Sequence, residues 1–151
     1  MKLSPTCAAL LMAVAALLAT SAAAGAQTIE GNWSTPTGSV VQVYPCAGAV
    51  CLRIVVVEKS APGTLDANNP DAALRSRSLC GLEIGSGFQA VDGGKSAENG
   101  KIYDPASGKT YSGSLAASGP NHLKLRGYVG VKLFGRTEEW TRTTQPIPAC
   151  K

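Results

Sequence analysis

The chain has 151 residues and a formal net charge of +4, from 14 basic and 10 acidic residues. The basic residues are scattered without forming a cluster, so the charge pattern gives no support to nucleic-acid binding. Five cysteines and a single histidine, His122, limit the metal and catalytic centres that such a chain can build.

The first 26 residues are predicted to be a cleaved signal peptide of the Sec type. An apolar run extends from Cys7 to Ala19, and Ala24-Gly25-Ala26 offers the small residues that signal peptidase requires. The run is too short for an ordinary membrane span, and an uncleaved anchor is the alternative. We therefore expect a periplasmic or secreted protein whose mature chain, residues 27–151, is one domain with no stable membrane span.

Nine short segments of the mature chain have the β-branched and apolar composition that predicts strands. In chain order they are Ile29–Thr35, Ser39–Tyr44, Val50–Glu58, Arg75–Ile84, Phe88–Val91, Lys101–Tyr103, Thr110–Ala116, His122–Val129 and Arg136–Thr143. No segment of the mature chain shows sustained helical spacing, and Asp92–Asn99 is polar and turn-like. The pattern predicts an all-β fold, a small antiparallel barrel or sandwich of about eight to nine strands.

Two connections carry polar residues of interest. Lys59–Ala73 is long for a loop without regular structure, and loops of this kind are often functional or mobile. Within it, Asp66, Asn69 and Pro70 supply either turn chemistry or ligand contacts. A calcium loop is excluded, because the sixth and twelfth positions lack the glycine and glutamate of an EF-hand. Asp104–Gly108 has the residues of a tight turn.

The four cysteines of the mature chain predict two disulfides, because their number is even and the chain is exported. Three pairings are possible. We favour Cys46–Cys51, across a predicted hairpin, and Cys80–Cys150, which ties the end of the chain to its middle. A metal site is the alternative, but the spacings match no zinc pattern and the histidine lies far away in sequence.

Alternation along the last strand places Arg136, Glu138, Trp140 and Arg142 on one face. This face lies either outside the barrel or in a partly polar interior, where its charges need partners. We expect Arg126 and Tyr128, on the preceding strand, to project in the same direction as Arg136 and Glu138. In an inward arrangement, Arg126 and Tyr128 would anchor the polar head of a ligand.

The sequence resembles two related groups of proteins. Gly31-Asn32-Trp33 on the first strand and Arg142 on the last resemble the G-x-W motif and distant arginine of lipocalin-type barrels. There the arginine lies against the tryptophan and closes one end of the barrel. A closer resemblance, to the exported bacterial family called domain of unknown function 2147, covers nearly the whole mature chain. Its matching pieces are residues 31–33, 46–51, 66–70, 75–81, 102–111, 125–130 and 133–142. The resemblance implies a lipocalin-like barrel and carries no established activity.

These observations favour a non-catalytic binder of a small, partly apolar or amphipathic ligand, with no cofactor and no metal. The candidate ligand-binding residues are Asp66, Asn69, Arg77, Asp104, Tyr111, Arg126, Tyr128 and Arg136, and the candidate structural residues are Trp33, Trp140 and Arg142. The same polar residues fit a structural hydrogen-bond network equally well. One alternative is an envelope interaction or stress-protection module with a filled barrel and an unknown protein partner. A weaker one is a hydrolase using the loop carboxylates Asp66 and Asp104.

Overall fold

The structure, a computed structural model, describes residues 27–150, so the predicted signal peptide lies outside the described residues. Eight strands form a closed antiparallel barrel in which each strand pairs with the next and the last pairs with the first. The strands are β1 (Gly31–Ser34), β2 (Val40–Cys46), β3 (Ala49–Val56), β4 (Glu83–Val91), β5 (Ser96–Asp104), β6 (Lys109–Ala117), β7 (His122–Tyr128) and β8 (Arg136–Arg142). This confirms the predicted all-β antiparallel barrel, with eight strands.

Alternating apolar residues line the inside of the barrel, as the period-two pattern predicts. On β2 the buried positions are Val41 and Val43, and on β3 they include Leu52. Phe88 has no exposed surface, and a Cβ atom placed at Gly100 would lie 2.2 Å from its ring. Glycine at position 100 therefore allows β5 to pass directly against this ring, and the barrel is filled at that level.

The two ends of the barrel differ because of the lengths of their connections. At one end, which we call the closed end, lie the β2–β3 hairpin, the β4–β5 turn and the β6–β7 turn. At the other, which we call the open end, lie the long connection 57–82 between β3 and β4 and the connection 129–135 between β7 and β8. Two disulfides are present: Cys46–Cys51 spans the hairpin, and Cys80–Cys150 joins the long connection to the end of the chain.

The structure corrects two strand predictions. Residues 75–82 form no strand, apart from one bridge between Leu65 and Ser78, and instead complete the long connection. In the segment predicted as a turn, Asp92–Lys95 do turn the chain, whereas Ser96–Asn99 already belong to β5. The strand β4 runs unbroken from Glu83 to Val91, where the prediction had two strands separated at Gly85. The glycines of β4 misled the prediction. A Cβ at Gly85 would come within 2.8 Å of the Leu52 side chain on β3. Gly85 therefore permits a close contact between two strands and does not mark a turn.

Candidate functional site

A cavity of about 1060 Å³ occupies the part of the barrel nearest the open end and reaches that end. Its deep wall is apolar and comes from six inward-facing positions on six different strands. These are Val41, Ile54, Ile84, Ile102, Leu125 and Trp140. Phe88, which fills the barrel lower down, is not part of the lining. The cavity is therefore an apolar cup with a packed floor and an opening between the connections.

Charged side chains are confined to the mouth of this cavity: Glu58, Asp104, Arg136 and Glu138. The Glu138 carboxylate accepts a hydrogen bond of 3.0 Å from the indole Nε1 of Trp140. Asp104 accepts from the backbone N of Ala106 at 3.0 Å and so holds the β5–β6 turn. The salt bridges within residues 27–150 join other side chains, which leaves Arg136 without a carboxylate partner there. The mouth thus offers one cation without a carboxylate partner, Arg136, beside carboxylates that already accept hydrogen bonds within the protein.

Two predicted site residues, Tyr111 and Tyr128, also line the cavity. Tyr111 lies opposite Ile102 in the strand register, and Tyr128 is 9% exposed near the end of β7. Tyrosine supplies an apolar ring with a polar hydroxyl, a combination that suits the boundary between an apolar cavity and water. Among residues 27–150, no three His, Cys, Asp or Glu side chains come close enough together to hold a metal ion.

Asp66, Asn69 and Arg77 lie outside the cavity lining and bind one another. Asp66 is fully buried, and its carboxylate accepts hydrogen bonds from Tyr103 Oη at 2.6 Å, Asn69 Nδ2 at 2.7 Å and Arg77 Nε at 2.8 Å. Asn69 Oδ1 in turn accepts from the backbone N of Asp71 at 2.9 Å. These contacts fold the connection 57–82 onto β5, and we call them the loop lock.

The electrostatics of the loop lock favour a charged carboxylate. Burial works against ionisation of Asp66, but the hydrogen bonds from Tyr103, Asn69 and Arg77, with the arginine charge, lower its pKa below the ordinary value. Burial, followed by the hydrogen bond to the Asp66 carboxylate, raises the pKa of Tyr103. Because both oxygens of Asp66 are occupied, the arrangement matches the turn and network role that the sequence offered for these residues.

Arg126 and Tyr128 were predicted to project in the same direction as Arg136 and Glu138, and for Arg126 this prediction is wrong. In the β7–β8 register Arg126 lies opposite Thr137, whereas Arg136 lies opposite Gly127, so the two arginines are on opposite faces of the sheet. The Arg126 guanidinium donates to the backbone O of Lys132 at 2.8 Å and to Thr137 Oγ1 at 2.8 Å, outside the cavity. A register that differs by one residue reverses the face of every side chain.

The closed end is built around Trp33 and Arg142. The guanidinium carbon of Arg142 lies 4.1 Å from the centre of the Trp33 ring. The same guanidinium donates hydrogen bonds to three backbone oxygens, those of Thr28, Glu30 and Pro120, at 2.6, 2.8 and 2.7 Å. One side chain therefore ties the chain before β1 and the β6–β7 turn to the last strand.

Comparison with known families and structures agrees with this geometry. A family described as "Uncharacterized protein conserved in bacteria (DUF2147)" matches residues 31–142. The chain belongs to this family. The match begins in β1 at Gly31 and ends in β8 at Arg142, so the DUF2147 region is the barrel itself. Cys150, which forms the second disulfide, lies beyond the match.

A solved structure also resembles the chain at 25% sequence identity, with a TM-score of 0.66. Its title is "Protein HP1028 from the human pathogen Helicobacter pylori belongs to the lipocalin family", and the similarity covers 76% of this chain and 82% of that one. No curated protein matches. Within residues 27–150 of this DUF2147 member, no helix is long and apolar enough to cross a membrane.

The sequence analysis did not select two residues that the structure places in this region, Tyr103 in the loop lock and Glu138 on the cavity wall. Tyr103, the partner of Asp66, sits on the strand next to the predicted turn and carried no signal of its own. Glu138 was visible as a charged residue two positions from Trp140 on an alternating strand, and the structure places both on the cavity wall. A carboxylate beside a tryptophan on the inward face of a strand was the available signal for Glu138.

Proposed function

We propose that this DUF2147 member is an exported, non-catalytic binder of a small, partly apolar or amphipathic ligand. The observation that carries the proposal is the cavity of about 1060 Å³, with its apolar wall and its charges at the mouth. Ligand sites are typically concave and mostly apolar, and a small number of polar groups fix the orientation of the ligand. The volume is sufficient for a molecule of drug or lipid-fragment size.

The distribution of side chains assigns a role to each part of the cavity. The apolar portion of the ligand occupies the deep wall, where Leu125 and Trp140 exclude water. The polar portion lies at the mouth, within reach of Arg136 and Glu138. Arg136 lines the cavity without a carboxylate partner in the described chain, and a ligand oxygen would satisfy it at little cost in desolvation.

The predicted compartment is consistent with this role. Two structural disulfides are typical of proteins in an oxidising environment such as the periplasm or the medium, and rare in the cytosol. Together with the apolar leader at residues 1–26, this supports an exported protein that acts as a single barrel domain over residues 27–151.

The two alternative functions lose support from specific contacts. An envelope interaction or stress-protection module was expected to have a filled barrel, whereas this barrel is filled only below the cavity. A hydrolase using Asp66 and Asp104 would need both carboxylates beside one substrate. Asp66 is fully buried in the loop lock, and Asp104 is engaged in its own turn.

Native mass spectrometry of protein purified from its own periplasm or culture medium provides the direct test. We expect a mass above that of the mature, disulfide-bonded chain, which denaturing conditions reduce to the chain alone. In parallel, 1-anilinonaphthalene-8-sulfonate serves as a fluorescent apolar anion, displaced by a saturated fatty acid from the same site. Arg136→Gln should weaken the binding of this dye about ten-fold.

Lys124→Gln is the matched control, because Lys124 lies on the outer face of β7 and pairs with Glu139. Leu125→Trp, which narrows the deep part of the cavity, should weaken dye binding while circular dichroism retains the strand signal. A barrel that binds neither a co-purified molecule nor the dye would refute the proposal. Equal loss with Lys124→Gln would remove Arg136 from the site.

A further inference from the structure

The connection between β7 and β8 exposes an unusual amount of apolar surface. Four large apolar side chains project from residues 129–134, with exposed fractions of 75% for Val129, 56% for Val131, 79% for Leu133 and 79% for Phe134. We call these four residues the apolar tip. Surface apolar residues usually occur singly, and a contiguous exposed patch marks a site of interaction with a protein or a membrane.

The barrel holds the apolar tip in place with two charged side chains, Arg126 and Lys132. Arg126 donates to the backbone oxygens of Lys132 and Leu133, and Lys132 forms a salt bridge with Glu98 on β5. Lys132 and Leu133 belong to a turn of 3₁₀ helix, Lys132–Phe134, which these contacts fix to the barrel. The connection is therefore braced from the outside of the barrel, with its apolar side chains directed into solvent.

We propose that the apolar tip docks the protein on the surface of an anionic lipid bilayer, with the mouth of the cavity facing the membrane. Two members of the tip, Val129 and Phe134, also line the cavity, so the docking surface is continuous with its opening. Insertion of the tip into the headgroup region would bring the mouth to the level at which amphipathic molecules leave a bilayer.

Charge and size favour a bilayer over a protein partner. Of the three basic residues from Arg126 to Arg136, Lys132 is paired with Glu98, and the two arginines have no carboxylate partner among residues 27–150. The tip therefore has positive charge beside it, which suits anionic headgroups. Four side chains of this size expose on the order of 500 Å², less than the roughly 800 Å² per partner that a stable protein interface buries. A tip of that area is sufficient for shallow, reversible insertion into a membrane interface.

The experiment is flotation of the mature protein with vesicles, without added ligand, so its result does not depend on the proposed binding function. Vesicles of phosphatidylcholine alone are compared with equimolar phosphatidylcholine and phosphatidylglycerol at low and physiological salt. We expect binding to the anionic vesicles only, and a fall of about ten-fold or more in the Leu133→Ser/Phe134→Ser variant. Val91→Ser is the matched control, because Val91 is an exposed valine at the closed end.

A second readout places the tip itself in the membrane. Phe134→Trp adds a solvent-exposed tryptophan whose emission, measured against wild type, should shift to shorter wavelength with anionic vesicles. Thermal denaturation of each variant checks that the barrel is intact. The proposal is overturned by wild type that stays unbound, by a tip variant that floats like wild type, or by equal binding to neutral vesicles. A dimer in sedimentation that Leu133→Ser/Phe134→Ser dissociates would overturn it in favour of a second copy.

Discussion

Replacement of Asp66 by asparagine should destabilise the barrel by about 3 kcal/mol at neutral pH. Asparagine has the shape of aspartate but no charge, and in either orientation of its amide the NH₂ group replaces one accepting oxygen. Either Tyr103, or Asn69 with Arg77, then loses its acceptor. A buried donor left without an acceptor costs about 1–3 kcal/mol. Arg77 is 36% exposed, so water replaces part of its lost contact, and most of the penalty falls on whichever of Tyr103 and Asn69 loses its acceptor.

The effect should also depend on pH, with a sign fixed by the direction of the pKa shift. The pKa of Asp66 in the folded protein lies below its ordinary value, so the unfolded chain takes up the proton first as the pH falls. The stabilisation is fully present above the unfolded value of about 3.9 and is lost as the pH falls through the folded value. The difference between wild type and Asp66→Asn should therefore be constant from pH 8 to about 5 and shrink below about pH 4.

Urea-induced unfolding, followed by the fluorescence of Trp33 and Trp140, measures both effects. Asp71→Asn is the control, because Asp71 is exposed in the same connection and its side chain caps a short 3₁₀ turn. Its free energy of unfolding should stay within about 0.5 kcal/mol of wild type. A loss below about 1 kcal/mol for Asp66→Asn, or a loss that is identical at pH 7 and pH 3, would contradict the loop lock.

Three further predictions concern the residues that stabilise the barrel. Arg142→Ala should lower the free energy of unfolding in urea by about 3 kcal/mol. Arg142→Lys should recover only part of this loss, because an ammonium cannot lie flat on the indole, and a double-mutant cycle with Trp33→Leu that shows no coupling would argue against the contact. Gly100→Ala should lower stability by at least about 2 kcal/mol, since its Cβ would collide with a core ring, and an unchanged melting temperature would disprove this packing. The pair Cys80→Ser/Cys150→Ser, which opens a separation of 70 residues, should cost about 4 kcal/mol if chain entropy dominates, measured by thermal and urea unfolding of the purified protein.

The parts of the fold that could be predicted are those governed by local chemistry. The Asp104–Gly108 turn follows from short-range rules: Asp104 accepts from the backbone two residues on, and Gly108 has a φ of +68°. Strand composition likewise located β2, β3 and β6–β8 to within a few residues. These features depend on neighbours in sequence, which a single sequence displays directly.

The parts that could not be predicted depend on contacts between distant segments. Residues 75–82 look like a strand, yet Arg77 is held by Asp66 across the connection, and this tertiary contact decides the backbone path. The face of Arg126 depended on the register between β7 and β8, which the connection between them sets. Alternation within one strand identifies which residues share a face, but not which face of the neighbouring strand they join.

The division of the barrel into a packed end and an open end has a consequence for how its binding properties can change. Trp33 and Phe88 have no exposed surface and lie below the cavity, where stability depends on tight packing. Arg136 and Glu138 stand on β8 at the mouth, exposed and away from that core. Substitutions at Arg136 should cost under about 0.5 kcal/mol of stability, because exposed positions contribute little to folding. Loss of the Glu138 carboxylate should cost more, about 1–3 kcal/mol, because the indole N–H of buried Trp140 would lose its acceptor. Under the proposed binding function, the mouth would therefore set the contacts to the polar part of a ligand separately from the packed floor that stabilises the barrel.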